Sequence, residues 1–275
     1  MFPILIRTRN RPEYLHITLK SLTATDLLGG QIIINDDCSD DELTKKYLYS
    51  SEKINLPILN WKDQIFNNGL KQYDIDVFKK YFYDLPIINE DVRCLKNKFS
   101  IISPEFKMGD KNGLLWSILI GFSFYPNSEY IIVIEDDLIF NKDWLKIANK
   151  IYYETLQNNE YGIISVYNRI FKDVNNDQLF LKVDNIGGVM YLIPNVIFQE
   201  MNKKGFFNQK FDNKHNSSGD VYFYEFVLKN KYNIFNSTTS YIQHIGVKSI
   251  CREGRFLRYS KNFLKPYAWN DDFDK

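Results

Sequence analysis

Apolar residues in this chain fall into short, β-branched runs, separated by stretches where they recur every three or four positions. Residues 2–6 form the first run, long enough for a strand and too short for a helix. Leu15, Leu19 and Leu22 then follow with helical spacing. Pro12 suits the first turn of that helix and Asn10 suits its cap. Gly29-Gly30 turns the chain into a second strand at 31–34. A helix is predicted at 41–50 and a third strand at 56–59. This strand–helix alternation predicts a parallel α/β sheet. Residues 61–105 break the pattern with mixed charge and scattered aromatics, and read as an insertion with helical pieces. Further on, helices are predicted at 113–124, 142–158, 195–202 and 221–229. Strands are predicted at 162–166, 179–183, 187–194, 232–235 and 238–243.

The stretch that orders the rest is Tyr130-Ile131-Ile132-Val133-Ile134-Glu135-Asp136-Asp137-Leu138. It reads as a buried central strand, and open α/β sheets bind ligands beyond the carboxyl ends of such strands. Three adjacent carboxylates repel one another and are costly to desolvate unless a cation joins them. Hard oxygen ligands suit Mg²⁺ or Mn²⁺. The plainer alternative is a solvated acidic turn that leads into the next helix, with Asn141 or Asp143 near its start.

Bulk composition narrows little. The 275 residues are 44% apolar with a net charge of +1, so a sizeable core is available and no partner is selected by charge. Aromatics reach 16%, from 21 Phe and 19 Tyr, enough to fill a core and line a sugar- or base-binding cleft. Three dispersed cysteines form no metal-binding spacing and suggest a reducing compartment. No run of about 18 apolar residues suggests a membrane span, and residues 1–6 carry no basic leader, so a cytoplasmic location is expected.

Three motifs occur in order after predicted strands: Pro3-Ile4-Leu5-Ile6-Arg7-Thr8-Arg9-Asn10-Arg11-Pro12, then Asp36-Asp37-Cys38, then Glu135-Asp136-Asp137. Together they resemble GT-A glycosyltransferases, most closely the N-acetylglucosaminyltransferase I group (family 13), with family 2 a near neighbour. The resemblance covers about residues 1–60 and 110–250. It implies one α/β domain over 1–275 with a mixed, mostly parallel sheet flanked by helices. A Rossmann-like nucleotide-sugar half would span 1–145, an acceptor half 146–246, and a basic lid or tail 247–275. It also implies a nucleotide-sugar donor, a UDP-sugar by preference, and a divalent metal, Mn²⁺ or Mg²⁺. The loop carrying Arg7, Thr8, Asn10 and Arg11 would meet the donor, with Arg11 near the diphosphate. Asp37 would accept a hydrogen bond from uracil, Asp136 would contact the ribose, and Glu135 would support the nucleotide site. Asp137 would bind the metal. Asp220 would be the catalytic base, and Val247 and Lys248 would belong to a loop closing over the diphosphate. Two features depart from the pattern. Gly219 precedes Asp220 where an acidic pair is commoner, and His244 stands where many GT-A enzymes, though not the family 13 type, place a metal-ligating histidine.

Each residue also has a plainer reading. Asp220 could cap its helix, Arg7, Arg9 and Arg11 could be surface charges, and Asp36 suits a turn. His244 could be structural, and Gly187-Gly188 could only ease a bend. The acceptor is a saccharide, free or lipid-linked, or alternatively a hydroxymethylated base of phage-type DNA. The second is motivated by Lys248, Arg252, Arg255, Arg258, Lys261 and Lys265 in the tail. A nucleotidyltransferase shares the plan, but the loop from Arg7 to Pro12 lacks the glycines such enzymes use around phosphate. A binding module without turnover is a further alternative. Oligomeric state is not encoded legibly.

Overall fold

The central run becomes a strand because its side chains are covered on both faces. Residues 131–134 are at most 1% exposed. They alternate, Ile132 and Ile134 packing with one layer of core residues and Ile131 and Val133 with the other. The computed structural model describes residues 1–56, 91–168, 178–208, 219–246 and 267–273.

Strands β1 (Phe2–Thr8), β2 (Gly30–Asp36), β3 (Lys53–Asn55), β4 (Asp91–Arg93), β5 (Ser100–Ile102) and β6 (Tyr130–Glu135) come first in the chain. They are followed by β7 (Leu138–Phe140), β8 (Gly162–Ser165), β9 (Phe180–Lys182), β10 (Met190–Pro194), β11 (Asn233–Ser237) and β12 (Ile242–His244). Among the described residues the main sheet has eight strands in the order β5-β2-β1-β6-β10-β8-β11-β9. The β5-β2-β1-β6 run is parallel, and β10 turns the sheet antiparallel on either side of itself. The mixed, mostly parallel sheet expected from the sequence is therefore present.

Helices α1 (Pro12–Leu22), α2 (Glu42–Tyr49), α3 (Gly109–Phe124), α4 (Trp144–Gln157), α5 (Asn195–Lys203) and α6 (Gly219–Lys229) flank it. Leu15, Leu19 and Leu22 of α1 and Trp144 and Ala148 of α4 pack with Ile4, Ile6, Ile132 and Ile134. Leu114, Ile118 and Phe122 of α3 and Phe223 and Val227 of α6 pack with Leu5, Ile131 and Val133 on the other face. Among the described residues no helix is long and apolar enough to cross a membrane.

Of the strand expected at 56–59, residues 57–59 fall outside the described residues; just before it, β3 pairs with β4 in a separate ribbon. Three local expectations are corrected. Of the supposed insertion at 61–105, the part from 91 on contains β4 and β5, and β5 joins the main sheet beside β2. Asn10 does not cap α1: it has φ 51°, and its side-chain oxygen accepts from the N–H groups of Asp40 and Asp41, 3.0 and 3.1 Å away. The strand expected at 238–243 is shifted to β12, which pairs antiparallel with β7 outside the main sheet. Residues 267–273 pack against the rest of the chain. Tyr267 bridges to Asn141, Ala268 N–H donates to Phe140 O (2.7 Å), and Phe273 packs between the rings of His16 and Phe99.

Candidate active site

The chain runs from β1 outward through β2 to β5, then returns to place β6 on the opposite side of β1. That reversal is a topological switch point, where a crevice opens beyond the carboxyl ends of the strands. β1 ends there in Arg7 and Thr8, and β6 ends in Glu135, followed by a bend at Asp136 and Asp137.

Strand alternation then sorts the charges. Glu135 continues the Val133 side and stands in register with Arg7, which continues the Leu5 side. Asp136 continues the Ile134 side, where Thr8 Oγ1 donates to its Oδ2 at 2.7 Å. The bend itself is clipped from α1. Thr18 Oγ1 donates to Asp136 O (2.6 Å) and accepts from Leu138 N–H (2.9 Å), while Ser21 Oγ accepts from Phe140 N–H (2.8 Å). Arg11, just before α1, pairs with both aspartates: Nη2 with Asp136, and Nη1 with Asp137 Oδ2 at 2.7 Å.

The β7–β12 ribbon completes the site. Its register sets His244 opposite Leu138, and Ile245 N–H donates to Asp137 O at 2.9 Å. His244 Nε2 consequently lies 3.4 Å from Asp137 Oδ2 and 3.9 Å from Glu135 Oε2. One ligand atom each from Glu135, Asp137 and His244 falls within 4.8 Å of the others. This donor set fits a divalent ion: its two carboxylates are hard oxygen ligands, and its imidazole favours a first-row transition metal. Asp137 Oδ1 adds a buried acceptor that has no hydrogen-bond partner among the described residues.

Gly246 shapes the same spot, and its sequence position alone does not reveal this. A Cβ there would sit 2.1 Å from Asp137 Oδ2 and 3.0 Å from His244 Cε1. Gly246→Ala is expected to push the carboxylate out of the set, weakening Mn²⁺ binding at least about tenfold while the fold persists, since a clash of this kind costs about 1–3 kcal/mol. Titration calorimetry paired with a thermal melt checks both parts.

Electrostatics follow from burial. Glu135 is pushed up to about 8, first by burial and then by the Asp137 charge, against which Arg7 pulls down. Asp136 is raised to about 6 by burial, in spite of Arg11. Asp137 is lowered: burial works against its charge, but His244 and Arg11 outweigh it. A cation must therefore displace a proton from Glu135. Because that carboxyl is raised, apparent Mn²⁺ affinity should climb as pH rises toward 8 and level off only above it, with proton release on binding. Calorimetry in buffers of different ionisation heat measures it, and flat affinity without proton release would mean that no raised carboxyl is deprotonated on binding.

Asp220 is the second residue of α6, in its first turn. Its carboxylate is hydrogen bonded to the buried Tyr191 hydroxyl, whose pKa is raised well above the ordinary value by burial and then by the Asp220 charge. Tyr191 and Tyr224 hydroxyls meet at 3.0 Å, and Tyr224 donates to Ile186 O at 2.8 Å. Gly188, at φ +76°, leaves room for the arrangement: a Cβ there would lie 2.6 Å from Asp220 Oδ2. Gly188 thus does more than ease a bend. Asp220 is also within electrostatic reach of Glu135, whose carboxyl its charge helps to raise.

The remaining expected residues are placed differently. Asp37 accepts from the N–H groups of Met108 (2.5 Å) and Gly109 (2.9 Å) at the start of α3, so a base that used this carboxylate would share it with them. Asp136 is fully buried, and a ribose contact from it requires its pair with Arg11 to open. Asn10 braces the loop after β2 rather than facing the crevice partners. Asp36 does serve a turn, its Oδ1 accepting from Ser39 N–H at 3.1 Å. Val247 and Lys248 lie outside the described residues.

No protein-family model and no curated protein matches this sequence. Solved structures do share its fold. Residues 1–349 of TarS from S. aureus, solved in complex with UDP-GlcNAc, match at a TM-score of 0.53 and 14% identity. That match covers 91% of this chain and 60% of the other. A crystal structure of S. aureus TarS matches at 0.51 and 13% identity, over 90% of this chain and 37% of that one. This chain thus spans less than two thirds of the length of either structure. At such identities the likeness establishes the mixed α/β fold and leaves the chemistry to the residues.

Proposed function

We propose that this protein is a metal-dependent glycosyltransferase that moves a sugar from a UDP-sugar to a hydroxyl of a saccharide, inverting the anomeric carbon. One observation carries the reading: Glu135, Asp137 and His244 converge at the switch-point crevice, with Asp220 facing it from the other half. The fold also occurs in a protein solved with UDP-GlcNAc. The narrower likeness to the N-acetylglucosaminyltransferase I group is part of this proposal.

Glu135, Asp137 and His244 would hold the divalent ion, which, when bound, neutralises charge on the departing diphosphate as a Lewis acid. Arg7 and Arg11 supply fixed positive charge beside it. Asp220 takes the proton of the incoming hydroxyl, and Tyr191 holds the carboxylate in place for that transfer. A single displacement with one base opposite the leaving group inverts the centre. Asp37 would meet the base of the donor, and Val247 and Lys248 would close over the diphosphate. The basic residues that motivate a nucleic-acid acceptor lie outside the described residues; a saccharide is the acceptor we carry forward, and hydroxymethylated DNA the alternative.

The test is a panel of nucleotide-sugars assayed for binding and slow hydrolysis with Mn²⁺, with Mg²⁺ and with EDTA. Metal-dependent binding of one UDP-sugar is the expected result. Absence of binding to every nucleotide-sugar, with or without metal, would overturn the proposal. Acceptors follow with that donor, saccharides first and hydroxymethylated DNA second, where steep salt dependence would mark phosphate contacts.

A further inference from the structure

We infer that Arg11 is a built-in cation that competes with the divalent ion for Asp137, an inference that rests on the metal-dependent reading above. Asp136 and Asp137 are 0% and 3% exposed, and a buried carboxylate pair of this kind needs a counter-charge at all times. Arg11, 18% exposed, supplies it by bridging the two. Its Nη1 donates to Asp137 Oδ2 at 2.7 Å, and this same oxygen lies 3.4 Å from His244 Nε2. The guanidinium thus occupies one of the two oxygens that Asp137 can offer the metal set, the other being the buried Oδ1. A divalent ion on this carboxylate would stand within a few ångströms of the guanidinium, and like charges that close in a buried site repel.

Arg11 has somewhere to go without leaving the site. Its second arm holds Asp136, which is not among the three ligand residues. Its guanidinium carbon lies 5.6 Å from the centre of the Tyr14 ring, a contact that favours the cation. Losing Asp137 thus leaves Arg11 hinged on Asp136 and Tyr14, with Nη1 released toward the crevice. Two consequences follow. The metal-free protein is spared an unpaired buried charge, and intrinsic metal affinity is held below what the three ligands alone would give.

The experiment is Mn²⁺ binding to wild type and Arg11→Gln without donor, by electron paramagnetic resonance, alongside thermal melts. Arg11→Gln should bind Mn²⁺ about tenfold tighter, a usual size for coupling between sites. It should melt lower than wild type without metal, with saturating Mn²⁺ closing the gap. A folded Arg11→Gln that binds Mn²⁺ equally or more weakly overturns the inference and leaves the metal-dependent reading standing. Failure of wild type and variant alike to bind Mn²⁺ overturns both. Should Arg11→Gln not fold, arginine side-chain nitrogen resonances of the wild type decide. Mg²⁺ should release the Arg11 Nη1 hydrogen bond, and an unchanged Arg11 signal at saturation overturns the inference.

Discussion

Asp137→Asn should abolish sugar transfer, by about 10³-fold or more, in a protein that still folds. A Lewis-acid ion contributes several kcal/mol to the stabilisation of a leaving group's charge, and each 1.4 kcal/mol or so is worth tenfold in rate. Asparagine preserves the volume at a position only 2% exposed, and its amide oxygen can still accept from Arg11. It also removes the neighbouring charge that helps to raise Glu135. Folding should therefore survive the change far better than catalysis. Turnover at saturating donor, Mn²⁺ binding and a melting curve separate the effects. Transfer close to wild type in this variant would sink the metal assignment.

Asp220→Asn tests the other half of the reaction. The expected loss is about 10²–10⁴-fold in kcat, the usual worth of a general base, with Mn²⁺ still bound. Asparagine suits this purpose because it keeps the shape of the side chain and removes the charge that would take the proton. If Asp220 serves only the first turn of α6, turnover should be unchanged. If it is the base, turnover falls alone, and the acidic limb of the pH–rate profile goes with it. Tyr191→Phe, which takes a hydrogen bond from the carboxylate, should lower kcat more mildly and shift that limb.

The meeting of the β1 and β6 ends was legible in the sequence because it follows from local strand alternation. The run from Tyr130 to Ile134 ends where its carboxylates must emerge, and strand alternation alone sends Glu135 and Asp136 to opposite faces. Thr8 meets Asp136 and Arg7 meets Glu135 for the same reason. What spacing could not reveal depends on tertiary contact. The clip from Thr18 onto the acidic bend is one case. Gly246 is another, since its role comes from Asp137 pressing on it and not from any turn signal beside it. Asn10 looked like a helix cap because it stands before Pro12, yet the second loop offered it two N–H groups and won. β5 was hidden because three residues show no periodicity, and only the exposed edge of β2 gives them a place.

The ribbon that delivers His244 also bears on how the protein comes into being. Glu135 and Asp137 precede His244 by more than a hundred residues, and the pairing of β12 with β7 and the Ile245 N–H to Asp137 O bond bring them together. At a ribosomal pace of roughly 5–20 residues per second, the acidic bend waits about ten seconds for its third partner. During that interval Arg11, made long before, is already at hand to neutralise the aspartates. A nascent chain can thus bury this acidic turn without borrowing an ion from the cell before His244 has been made.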